Sequence, residues 1–162
     1  KYLDQNIENG SQSDFCIGVG AYPEKHFEAP NFKKDLAFLK KKVDAGADYI
    51  VTQMFFDNQK FFQFVDACRS IDIRVPIIPG LKPITRSYQI NSLPRIFHVE
   101  LPDDLTTAIH KAKSKKAVKE IGIEWCIAQS KELIQAGIPC LHYYTMGDTP
   151  TIYKIVSKTL TK

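Results

Sequence analysis

The sequence predicts an α/β chain built on a parallel sheet, and three observations carry that expectation. Four short apolar runs, at 15–21, 49–55, 75–79 and 140–145, are too brief to be helices. Longer segments lie between them, with apolar residues three and four apart, as on a helix with one buried face. The short runs are nearly continuous in apolar residues instead of alternating with polar ones. That is how strands read when helices shield a parallel sheet.

Each element follows from local signals. Residues 1–14 read as the end of a preceding helix and a loop through Asn9-Gly10-Ser11-Gln12-Ser13, and the domain begins at 15. The first strand is closed by Tyr22-Pro23. A helix then places Phe32, Leu36, Leu39 and Val43 on one face, and Gly46 ends it. After the second strand, a helix over 60–70 turns Phe61, Phe64, Val65 and Cys68 inward. The third strand is 75–79. Pro83, Pro94 and Pro102 interrupt the stretch that follows, which predicts a loop with one or two short helical pieces. Residues 103–136 are helical, with a break near Ser114 and core positions at Leu105, Ile109, Ile121, Trp125, Ala128 and Leu133. Gly137-Ile138-Pro139 stops that segment. Beyond the fourth strand, Thr149-Pro150 predicts an N-cap and a first helical position. Ile152, Ile155, Val156 and Leu160 form the stripe of the last helix.

Composition narrows the function classes. With 162 residues, 44% hydrophobic and 25% charged, the chain is one domain's worth of globular protein and not a disordered one. The net charge of +4 is small and dispersed, which argues against nucleic acid. No apolar run approaches the roughly 20 residues that cross a bilayer, so no membrane span is expected. Cys16, Cys68, Cys126 and Cys140 stand far apart without metal-ligand spacing, so no metal site is assigned. Three of the four lie in apolar sequence, which suggests reduced thiols and a cytoplasmic protein. The first methionine is Met54, so the chain reads as a fragment or a processed product. Gly18-Val19-Gly20 opens a dinucleotide fingerprint, but Pro23 stands at its third glycine position and the fingerprint fails. The lysines at 111, 113, 115, 116 and 119 read as a wet helix face, with Lys116 and Glu120 as a four-apart pair. His98 and His110 suggest no partner.

Parallel sheets bind ligands at the carboxyl ends of their strands. Here those ends carry the segments 20–29 (Gly-Ala-Tyr-Pro-Glu-Lys-His-Phe-Glu-Ala), 52–57 (Thr-Gln-Met-Phe-Phe-Asp), 77–80 (Ile-Ile-Pro-Gly) and 142–145 (His-Tyr-Tyr-Thr). Together with 40–47 (Lys-Lys-Lys-Val-Asp-Ala-Gly-Ala), they resemble methylenetetrahydrofolate reductase in order and spacing, over about residues 15–160. The resemblance implies a (βα)₈ TIM barrel with FAD at its top, of which residues 15–162 would be the C-terminal half, strands five to eight. A whole barrel takes roughly 250 residues. The family's acidic catalytic residues and several flavin contacts belong to the first four strands, so no catalytic residue is assigned in this chain.

By the same resemblance, the cofactor-binding residues are Tyr22, His26, Glu28, Ala29, Asp35 and Lys42. Tyr22 would lie near the flavin, the 26–29 loop near its ribityl and pyrophosphate groups, and Lys42 near the diphosphate, with Asp35 accepting from a ribose or adenine-side group. Gln53, Gln89 and Tyr144 are the implied folate contacts. An amide at the end of an apolar strand is costly unless bonded, and its donors and acceptor suit a pterin ring. Each residue has a plainer alternative: a half-buried tyrosine, a solvated helix face, a glutamine bonded to nearby backbone. Two positions depart from the family. Asp148 stands about where an arginine is common, and Leu93 where some relatives carry an aromatic.

The implied function is reduction of 5,10-methylenetetrahydrofolate to 5-methyltetrahydrofolate, with NAD(P)H as reductant and FAD as carrier. The implied partners are the folate substrate and the missing N-terminal half or another copy of the chain, in a homo-oligomer. The alternative is a non-catalytic half-barrel, or a flavin-binding module that needs a partner half.

Overall fold

The computed structural model describes residues 15–160, so the helix end and loop expected over 1–14 lie outside it. The four strands are β1 (Gly18–Ala21), β2 (Tyr49–Met54), β3 (Ile77–Leu81) and β4 (His142–Tyr143). The helices are α1 (Phe32–Asp44), α2 (Asn58–Ser70), α3 (Gln89–Phe97), α4 (Asp103–Lys111), α5 (Lys115–Gln135) and α6 (Thr149–Leu160). The sheet is parallel throughout and runs in the order β1-β2-β3-β4.

Because every strand pairs with the next in sequence, the chain winds in one direction and its helices gather on one face. Register puts Val19, Ile50 and Ile77 side by side on that face. They meet Leu36 and Leu39 of α1, Phe61 and Phe64 of α2, Ile123 and Ile127 of α5, and Ile155 of α6 in one core. The alternate residues are less covered: Gly18, Gly20 and His142 are exposed, and Tyr49, Val51 and Ile78 are half-buried. A second apolar cluster lies at the carboxyl end of the sheet, where Met54, Phe56 and Ile84 pack with Leu93, Leu105 and Val118.

Side-chain caps set several helix starts by accepting otherwise unpaired amide protons. Asn31 Oδ1 accepts from Lys34 N at 2.9 Å, Asp57 Oδ1 from Gln59 N at 2.9 Å, and Ser114 Oγ from Ala117 N at 3.1 Å. Ser114 is thus the break expected in the long helical stretch. At α6 the cap differs from expectation: Asp148 Oδ1, not Thr149, accepts from Thr151 N at 3.3 Å.

Other expectations are corrected. Strand one begins at Gly18, leaving Phe15 74% exposed, because Ile17 N–H donates to the Asp48 carboxylate at 2.8 Å before the regular ladder starts. Strand three is shifted two residues on, from 75–79 to Ile77–Leu81, and strand four shrinks to two residues at the sheet edge. Ala128 is exposed, while Cys126 and Ile127 take the core positions of α5. Glu120 pairs with Lys154 of α6 at 2.5 Å, across two helices, and not with Lys116. Only Cys68 and Cys126 are buried, with thiols pushed up to about 12 by burial; Cys16 and Cys140 are exposed, and all four are unbridged.

One close approach fixes how α5 crosses the loop after β3. A Cβ on Gly122 would stand 1.7 Å from the Ile84 carbonyl oxygen. Helix propensity alone would favour alanine there by about 1 kcal/mol. The clash is with backbone and cannot be relieved by a rotamer change, so Gly122→Ala should instead destabilise by roughly 1–3 kcal/mol. Thermal unfolding of the variant beside wild type checks this; an unchanged or raised midpoint would contradict the packing.

Candidate functional site

The turn after β1 is built by its own side chains. Lys25 has φ of 104°, a strained left-handed conformation for a non-glycine residue. Its ammonium donates to the carbonyls of His26 at 3.0 Å, Phe27 at 3.4 Å and Ala29 at 2.8 Å, drawing the loop around itself. Asp35, on the first turn of α1, accepts from His26 N at 2.7 Å. The His26 ring meets Tyr22 edge-on at 4.6 Å and Phe27 face to face at 4.9 Å, and Phe27 stacks on His98 at 4.4 Å. His98 therefore has an aromatic neighbour that its sequence context did not suggest.

This turn and α1 enclose a cavity of about 250 Å³. Tyr22, His26, Glu28, Ala29, Asp35 and Lys42 all line it, with Leu36, Leu39 and Phe64 as its apolar wall. Lys42 reaches back to the Gly20 carbonyl at 3.1 Å. The six residues, spread over two elements and 21 positions of sequence, are thus brought together (Tyr22 to Lys42).

The three remaining residues are placed differently. β2 carries an extra residue between Val51 and Met54 relative to β3, a bulge at its carboxyl end. Side chains satisfy the backbone groups that the bulge displaces. Thr52 Oγ1 accepts from Gly80 N at 2.9 Å, Gln53 Oε1 accepts from Met54 N at 2.9 Å, and Tyr144 Oη donates to the Thr52 carbonyl at 2.9 Å. Gln53 therefore does bond neighbouring backbone, through its carbonyl, which leaves its amide hydrogens to point elsewhere. Gln89 lies apart from them. Its Oε1 accepts from Thr85 N at 2.7 Å and Arg86 N at 2.9 Å, and so organises the loop before α3.

Gln89 instead borders a second cavity, of about 460 Å³, beyond the carboxyl end of β3. Lys82, Arg86, Tyr88, Thr145 and Asp148 line it as well. Burial pulls the Lys82 ammonium below its ordinary value. Leu93 faces the second apolar cluster instead of a cavity.

Sequence reasoning missed Lys25, Lys82 and Glu24. Glu24 is half-buried; its Oε2 accepts from Glu100 N at 3.1 Å, while its Oε1 has no partner among the described residues. A charged residue following proline in a turn gives no hint of burial; only the return of residues 98–100 against the turn covers it. Among the described residues no cluster of His, Cys, Asp or Glu could hold a metal, and no helix is long and apolar enough to cross a membrane.

A singly wound parallel sheet whose cavities and polar loops sit at the carboxyl ends of its strands defines a class, the α/β proteins that position ligands on strand-end loops. The chain belongs to the methylenetetrahydrofolate reductase family, whose model, "Methylenetetrahydrofolate reductase", matches residues 2–160. It is 41% identical over 143 residues to methylenetetrahydrofolate reductase (NADH) 1 of Arabidopsis thaliana, covering 82% of this chain and 24% of that protein. Methylenetetrahydrofolate reductase 1 of Schizosaccharomyces pombe is 35% identical over 157 residues, covering 96% and 26%. The 5,10-methylenetetrahydrofolate reductase of Pectobacterium carotovorum is 34% identical over 143 residues, covering 88% and 48%. The chain thus spans from about a quarter to about half of these relatives' length. In fold it is similar to a Clostridium thermocellum protein that binds two copies of 5-methyl-5,6,7,8-tetrahydrofolic acid. The TM-score is 0.63 and the identity 16%, over 90% of this chain and 52% of that one.

The Glu24 carboxyl is held above its ordinary value of 4.5, chiefly by burial. A carboxyl raised in the folded state binds more protons folded than unfolded, so it lowers stability as pH rises from 4.5 through the raised value. Glu24→Gln cannot ionise and escapes that loss. Its urea midpoint should gain on wild type as pH goes from about 4 to about 7. A midpoint difference that stays flat with pH would contradict the assignment.

Proposed function

We propose that residues 15–162 are the C-terminal half, strands five to eight, of a (βα)₈ barrel in an FAD-dependent reductase. That enzyme converts 5,10-methylenetetrahydrofolate to 5-methyltetrahydrofolate with NAD(P)H. The supporting observation is that the six residues matched to flavin contacts fall around one cavity beside the carboxyl end of β1.

The residues present fit such a cofactor. A Cβ built on Gly20 meets nothing within 4 Å, so the strand end beside the cavity is bare and a flat ring can approach the backbone. The Lys42 ammonium suits an anionic diphosphate, and Leu36, Leu39 and Phe64 give the cavity an apolar wall. At about 250 Å³ the cavity holds part of a dinucleotide only, and the strands before this chain would complete the site. FAD supplies the hydride chemistry when bound.

This chain's residues bind and orient. Asp35 and Lys25 hold the 26–29 turn in place, so its donors need not reorganise when a ligand arrives. Gln53 has its carbonyl occupied by Met54 N, which leaves its amide hydrogens to donate to an acceptor on a pterin ring. Tyr144, tied to Thr52, walls the same strand ends. The proton donor would come from the half of the barrel not in this chain.

Two tests follow. In the full-length enzyme, His26→Ala and Lys42→Ala should each weaken FAD binding by roughly 1–3 kcal/mol. Gln53→Glu should impair folate turnover while the visible flavin spectrum persists. Unchanged FAD affinity in both alanine variants, or joint loss of flavin and activity in Gln53→Glu, would count against these assignments. The second test is assembly. The less covered sheet face and the unpaired edges of β1 and β4 invite pairing with another chain. Sedimentation equilibrium of residues 15–162 alone should show self-association or aggregation, and with the other half added it should show pairing. A cooperative monomer that binds no hydrophobic dye would refute the half-barrel reading.

A further inference from the structure

The cavity beyond β3 holds a group that neither set of matched residues uses. Lys82 follows directly on β3 and is only 5% exposed. Among the described residues its ammonium has no hydrogen-bond or ion-pair partner. Lysine is almost never buried without a partner, because desolvating an ammonium is costly unless an anion is bound to it. The lysine lines a cavity of about 460 Å³, so an anion from outside the chain can reach it.

The surroundings favour one kind of anion. Arg86 adds a second, exposed cation on the same cavity, and Tyr88, 58% exposed, adds an aromatic ring at its rim. Asp148, the acid on the cavity lining, commits both its oxygens to other groups. Its Oδ1 accepts from Thr151 N at 3.3 Å and its Oδ2 from the Lys119 ammonium at 3.3 Å. It serves as the cap of α6 and makes no hydrogen bond or ion pair with Lys82, although its charge partly offsets the effect of burial on that ammonium. Two cations and an aromatic ring match an aryl group whose tail ends in carboxylates.

We propose that Lys82, assisted by Arg86, recognises the carboxylate tail of the folate substrate, the task that the resemblance would give to an arginine near position 148. The assignment rests on the folate reading above and names a residue that sets specificity within it. A carboxylate at this depth exchanges its hydration for a charge-assisted hydrogen bond to a donor already desolvated. The interaction is therefore stronger than the same pair at the surface.

The test uses the full-length enzyme and two probes, 5-methyltetrahydrofolate and the primary amide of 5-methyltetrahydropteroic acid, which lacks the glutamate and carries no carboxylate. Affinities are measured by titration calorimetry. Wild type should bind the folate more tightly than the amide. Lys82→Met keeps the buried stem and removes the charge; it should weaken folate binding about tenfold and leave binding of the amide unchanged. Lys82→Arg should retain most of the preference. Arg86→Gln, at an exposed position, should show a smaller loss confined to the folate, and it decides the matter if Lys82→Met does not fold. Equal weakening of both probes would mean that Lys82 pairs with a protein carboxylate or serves packing, and would overturn the proposal. No weakening of folate binding in either variant would overturn it too. If wild type binds neither probe, the folate reading itself falls, and this proposal with it.

Discussion

A parallel sheet wound in one direction can be covered by its own helices on one face only, and the rest of this molecule is arranged around that limit. The covered face takes Val19, Ile50 and Ile77 into a dense core with four helices. The other face carries two exposed glycines in β1 and half-buried Tyr49, Val51 and Ile78. In a closed barrel such a face is filled by layers of side chains from neighbouring strands. The same winding brings all four strand ends to one side, which is why the turn after β1, the bulge in β2 and the Lys82 cavity share one end of the sheet.

The bulge shows how structural and chemical duties share residues. An extra residue in β2 takes Met54 N, Thr52 O and Gly80 N out of the regular ladder, and each would cost about 1–3 kcal/mol if left unpaired in the interior. Gln53, Tyr144 and Thr52 supply the missing partners. Gln53 and Tyr144 were singled out as ligand contacts, yet both hold the backbone. The two roles are compatible for Gln53 because an amide has two ends: its carbonyl is fixed inward, and fixing it aims the donors. Tyr144 has a single hydroxyl, already given to Thr52, so it can offer a ligand mainly its ring.

Electrostatics at the strand ends follows a similar economy of charge. Lys25 is turned inward onto three carbonyls and Asp35 onto an amide, so both charged side chains act as local scaffolding. Asp148 caps α6 and binds Lys119, which reconciles an acid with a cavity that has two cations on its wall. The half-buried carboxyl of Glu24, with one oxygen unpartnered among the described residues, and the buried side chain of Lys82 are the exceptions, each shifted chiefly by loss of water.

What the sequence determined by itself was the order of strands and helices, their inward faces and the family. Apolar periodicity and glycine or proline punctuation are local signals, and five ordered motifs, four of them at strand ends, are specific together. The six residues around the β1 cavity were legible for the same reason: they lie on one turn and the helix after it. Tertiary structure decided what depends on distant partners. Strand four is two residues long because only Gly80 and Leu81 stand beside it. Ala128 is outside the core because the α5 face turned inward is set by Ile84 pressing on Gly122. The engagement of Gln53 with the bulge, of Gln89 with the Thr85 turn and of Asp148 with α6, and the isolation of the Lys82 ammonium, are likewise set by packing. A side chain's hydrogen-bond partner and its loss of water arise only when separated segments meet, and no local pattern in the sequence encodes that meeting.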